Sequence, residues 1–124
     1  MALITTQTIK GPFEAIAANG ADFVWTVGNV GGDTITLTGR EIILVWNSHA
    51  TIAYTFGVTS VADEKLRTGD ITTYNLDALE YAVLGVGLTN SSGWRNTSTG
   101  LLSVIVSNAA VKWAVLKLPA GYPG

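Results

Sequence analysis

Apolar and polar residues alternate along most of this chain with a period of two, the spacing at which successive side chains of a β-strand turn to opposite faces. In residues 51–61, Ile52, Tyr54, Phe56 and Val58 share one face, while Thr51, Ala53, Thr55, Gly57 and Thr59 share the other. That pattern predicts a half-buried strand. Residues 41–46 are apolar on both faces after Glu41, which predicts a central strand covered on both sides. The two runs, joined by the turn 47–50, are expected to pair as a hairpin. Residues 101–107 and 110–118 predict a second hairpin across Asn108 and Ala109. Phe23, Trp25 and Val27 fall on one face of a further short strand, and residues 34–38, 71–74 and 81–88 read as weaker ones. Residues 77–82 spell at most one helical turn. Asn19-Gly20 closes a short apolar stretch at 13–18, and Gly28, Gly31 and Gly32 mark a loop. Residues 62–70 carry five of the sixteen charged residues and read as a surface loop. The expectation is an all-β, single-domain β-sandwich or jelly-roll-like barrel of about eight short strands. Residues 1–12 are expected as an extended N-terminal arm and residues 13–124 as the β domain.

Composition sharpens this picture in one respect. Of 124 residues, 13% are charged and 48% apolar, and four are Trp. The charged share is about half that of an ordinary soluble domain. A chain so poor in charge is expected to hide part of its surface against copies of itself or another protein. The net charge of −2, with seven scattered Lys and Arg, lacks the clustered cations that nucleic-acid binding needs. No apolar run approaches the ~20 residues of a membrane helix, so no membrane contact is expected. The first residues carry no basic, apolar and small-residue succession of a signal peptide. The sequons at Asn90 and Asn96 are read as chance. With no cysteine, disulfides and thiolate metal sites are absent.

Candidate chemistry is sparse. His49 is the only histidine and falls at a turn, with no carboxylate at a metal-ligand spacing. Asp63, Glu64 and Asp70 are the densest carboxylates, but they share their loop with Lys65 and Arg67. Gly28, Gly31 and Gly32 lack the Lys-Ser/Thr pair and the following helix of a phosphate loop. No enzyme, no cofactor and no metal site is expected. Trp25, Trp46 and Trp113 lie on strands and are expected in the core. Trp94 stands beside Arg95 in a polar loop, as an interface anchor or a sugar-stacking ring would. A lid folded back onto the core is the competing reading.

The order of these segments resembles the small β-structured head decoration, or cement, proteins of tailed bacteriophages. The resemblance runs from about Phe13 to Leu118. It rests on Glu41-Ile42-Ile43-Leu44-Val45-Trp46-Asn47, on residues 58–63 leading into Arg67-Thr68-Gly69-Asp70-Ile71-Thr72, and on residues 111–118. It implies a structural virion protein assembled in the bacterial cytoplasm. The implied partners are the major capsid protein and further copies of the chain, as a homotrimer. It also implies that the arm, with Leu3, Ile4, Thr5, Thr6 and Gln7, reaches a neighbour by strand addition. The alternatives are another phage structural protein of the tail or joining region, or a carbohydrate-binding module. The latter would stack sugars on Trp94 with Tyr54 or Tyr74.

Overall fold

The computed structural model describes residues 2–9, 22–61, 69–84, 94–96 and 99–118, and the β class expected from the alternation is what it shows. Among these residues ten strands follow in order: β1 Ala2–Leu3, β2 Thr6–Thr8, β3 Thr26–Val27, β4 Asp33–Thr36, β5 Glu41–Asn47, β6 Tyr54–Thr59, β7 Ile71–Leu76, β8 Tyr81–Leu84, β9 Leu101–Val106 and β10 Val111–Lys117. They form two sheets. The first has the order β1-β4-β9-β6-β7, and the second β2-β10-β5-β8. Strand β3 also pairs with β10. Since β5 takes the whole of one edge of β10, β2 and β3 share the other edge end to end. No helix occurs among the described residues, and residues 77–80 make a turn closed by the Glu80 N–H on the Asp77 carbonyl at 3.0 Å.

The inner faces carry the core. Ile35, Leu102, Val104, Val106, Phe56, Val58 and Leu76 come from the first sheet, and Ile43, Val45, Val111, Trp113 and Val115 from the second. Phe56 and Trp113 meet edge-on across the gap, with ring centroids 5.5 Å apart. Of the polar groups buried with them, the Glu41 carboxylate and the Asn47 amide are satisfied locally, while the Trp113 indole N–H is covered without a hydrogen-bond partner. The Glu41 carboxylate accepts Thr38 N–H at 2.7 Å, the Thr38 hydroxyl at 2.6 Å and Gly39 N–H at 3.2 Å. Burial alone would raise its pKa. The bonds from the Thr38 side chain and from the backbone of Thr38, Gly39 and Arg40 outweigh burial and hold it below the ordinary value.

Neither expected hairpin forms. Strand β5 lies in the second sheet and β6 in the first, so the turn between them carries the chain from one sheet to the other. The Asn47 amide fixes that crossing by donating to the carbonyls of Ile52, Leu76 and Asp77. His49 serves as its brace. Its Nδ1 accepts the N–H of Thr51 at 3.1 Å and of Ile52 at 3.0 Å, and its ring sits edge-on to Tyr54. Strands β9 and β10 are split between the sheets in the same way. Period-two alternation reports that one face is buried, and it carries no record of which strand lies alongside. Among the described residues the one sequential hairpin is β6–β7, where Thr72 and Thr73 bulge opposite Gly57. A Cβ at Gly57 would stand 3.0 Å from the carbonyls of Ile71 and Thr72, so a larger residue there would have to push the two strands apart by a few tenths of an ångström.

Residues 2–8, expected as an arm apart from the β domain, are built into both of its sheets. β1 runs parallel to β4 in the first, and β2 runs parallel to β10 in the second. Ile4, at the crossing between them, is 1% exposed. Residues 1, 10–21, 62–68, 85–93, 97–98 and 119–124 fall outside the described residues. With them fall the expected apolar stretch 13–18, Asp63 and Glu64, both tails of the loop around Trp94, and the glycines at 85 and 87.

Candidate functional site

Register decides which side chains face outward. In the second sheet Glu41, Ile43, Val45 and Asn47 point inward, so their neighbours Ile42, Leu44 and Trp46 point out. Pairing carries this parity across the sheet. Lys112, Ala114 and Leu116 of β10, Tyr81 and Val83 of β8, Gln7 of β2 and Val27 of β3 share the outer face. The segment before β3 is tied to it through Gln7. The Gln7 side chain donates to the Val24 carbonyl and accepts the Val24 N–H, both at 2.8 Å, as a backbone neighbour would.

Four aromatic rings assemble there. Trp46 and Tyr81 are cross-strand partners on β5 and β8, and their rings stack at 5.4 Å with 5° between planes. Trp25 touches both, at 5.4 Å from Trp46 and 6.0 Å from Tyr81. Phe23 extends the row edge-on to Trp25 at 5.3 Å. The Lys112 ammonium lies 5.6 Å from the centre of the Trp46 ring, within cation–π range. It is the only charged side chain among the outward-facing strand residues of this sheet. Tyr81 at 59%, Val83 at 61% and Val27 at 55% remain open to water, as does Val24 beside them. Trp46 is half-buried, and its indole N–H is covered without a hydrogen-bond partner.

Of the three Trp expected in the core, only Trp113 is there. Trp25 and Trp46 belong to this outer cluster. The strand expected over 23–27 shrinks to Thr26–Val27, because Phe23 and Trp25 leave the ladder to lie on the sheet. Strand β5 is central as expected, between β10 and β8, but its outer side chains are half-buried rather than covered by a layer.

The residues singled out in the sequence are scattered over the molecule. Leu3 is exposed on the outer side of the first sheet, Ile4 is in the core, and Thr5 is exposed at the crossing. Thr6 faces inward and Gln7 outward on the second sheet. Trp94 is half-buried and packs against the core cluster, as the lid reading has it, and Arg95 donates to the Leu37 carbonyl at 3.3 Å. Tyr54 also packs on the core, and Tyr74 lies against Phe56. No three His, Cys, Asp or Glu gather into a metal site among the described residues. Asp70 accepts the hydroxyl and N–H of Ser60, which lower its pKa and fasten the ends of the 61–69 loop. The aromatic cluster was missed because Trp46 and Tyr81 meet only through a non-sequential strand pair. The legible trace of it was the apolar run 41–46, whose outward residues have no polar alternation.

Searches of protein-family models, curated proteins and solved structures find no match for this chain.

Proposed function

We propose that this chain is a non-catalytic structural subunit of the capsid-decoration type, and that the outer face of its second sheet is the surface through which it associates. The carrying observation is the four-ring cluster of Phe23, Trp25, Trp46 and Tyr81, with exposed Val27 and Val83 around it. Aromatic anchors with few charges at the centre are what distinguish protein interfaces from the remaining surface. Copies of the chain, as a trimer, and the shell surface of a virion are the partners this reading supplies. Its mechanism is mass action. A subunit that binds only the assembled shell stabilises it by RT ln(1 + [L]/Kd), and many copies add avidity.

A second reading draws on the same rings. Trp46 stacked on a half-open Tyr81 is also a platform for the flat face of a sugar. Light scattering after size exclusion, over a concentration series, separates the two. A trimer that falls to monomer on Tyr81→Ala supports association. A monomer at every concentration, with tryptophan fluorescence that shifts on adding oligosaccharides, supports the sugar platform instead.

A further inference from the structure

A second site lies away from the aromatic face, where the chain crosses from β1 to β2. A cleft of about 470 Å³ opens there, lined among others by Ile4, Thr6, Thr8, Thr36, Glu41 and Lys117. Its walls are two strand edges. The Leu37 N–H bonds to the Gly100 carbonyl, so residues 33, 35 and 37 of the β4 segment turn their backbone groups toward β9. Thr34 and Thr36 face the other way. The Thr34 carbonyl takes the Ile4 N–H, but β1 has ended at Leu3, and the N–H and C=O of Thr36 point past it into the cleft. On the opposite wall the Ile9 N–H bonds to the Lys117 carbonyl. By alternation Gln7 also faces β10, while Thr6 and Thr8 present their N–H and C=O to the cleft.

Charge adds direction to this geometry. The Glu41 oxygens at the cleft are occupied by Thr38 and Gly39, and no carboxylate of the described residues pairs with the Lys117 ammonium. We infer that this cleft is an acceptor for strand addition, binding an extended peptide segment that pairs with the free edges of β2 and β4 and sets an acidic side chain against Lys117. Main-chain bonds supply the affinity and the cation selects the sequence. The N-terminal residues, expected to reach out and add a strand elsewhere, instead build the slot into which one fits.

The test screens a spatially addressed array of random blocked hexapeptides against the full chain. The bound peptides are then measured in solution by amide chemical shifts. Expected are binders rich in Asp and Glu that shift the amides of Thr6, Thr8 and Thr36, and that lose at least tenfold in affinity when N-methylated at alternate residues. Thr36→Pro and Thr8→Pro remove N–H groups that no described strand uses, so both variants are expected to fold and lose binding. Lys117→Gln weakens acidic peptides alone, and serves should a proline variant fail to fold. An array without binders overturns the proposal. So do binders indifferent to N-methylation, which leave the aromatic-face reading untouched, or binders that shift only the Trp46 and Tyr81 region, which place peptide binding on the aromatic face instead.

Discussion

The two sheets turn very different surfaces outward. On the first sheet the outward positions are Thr34, Thr36, Thr55, Thr59, Ser103 and Asn75, with Leu3, Leu101 and Ile105 among them. On the second they are Ile42, Leu44, Trp46, Tyr81, Val83, Val27, Ala114 and Leu116, with Gln7 and one lysine. Both sheets bury an apolar inner face, so covering the core does not require the two outer faces to differ. Hydroxyl side chains keep a sheet wet at little cost in β propensity. Aromatic rings left half open keep a surface ready to be covered. The difference teaches that, with almost no charge on either outer face, hydroxyl groups wet one sheet while aromatic rings gather on the other.

The comparison breaks most severely at the core both sheets share. Trp113→Ala is expected to cost about 3–5 kcal/mol, read by denaturant unfolding, because it leaves a cavity against Phe56. Trp46→Ala, on the outer face, costs under about 2 kcal/mol. Equal losses would show that the outer cluster is a second core. Glu41→Gln comes next, at about 1–3 kcal/mol near neutral pH, since it replaces a carboxylate that three donors hold. The sign with pH follows from the lowered pKa. The stability Glu41 contributes is present above the unfolded carboxyl range and lost as pH falls through the folded value, so the variant flattens the acid limb of a stability–pH curve.

The outer faces are compared directly by placing a lysine on each. Val83→Lys is expected to loosen self-association at least tenfold by light scattering, while Thr59→Lys on the first sheet leaves it unchanged. Both stay within about 0.5 kcal/mol of the parent in stability. The reverse outcome would assign contact to the first sheet. The smallest effect sits in the turn that joins the two sheets. Leu79 has φ of 64°, a left-handed conformation that glycine adopts freely. Leu79→Gly is expected to gain up to about 1 kcal/mol, visible as a raised Tm.

How much of this was legible follows from what alternation encodes. It located β9 and β10 to within a residue and β6 to within three, because side chains flip face at every step, while the continuous apolar run located β5. It placed Trp113 inside. It misassigned Trp25 and Trp46, because an apolar outer face reads in sequence like one covered by the chain's own core. It proposed hairpins where Asn47 and the Asn108 turn lift the chain out of the sheet. An Asn whose amide ties three distant carbonyls looks the same in sequence as one capping a tight turn. The cleft beside β2 was invisible, since it depends on where β1 stops.

Strand β10 is the hinge of the molecule's timetable. It is the last strand described, yet β2, β3 and β5 all pair with it. During synthesis the earliest residues therefore have no lasting neighbour in the second sheet until more than a hundred others have emerged. The platform carrying Trp46 comes into being only with a finished β10. A chain that stops short of β10 leaves β2 and β3 without a ladder and strips β5 of one neighbour, so the outer aromatic row loses the sheet that aligns it.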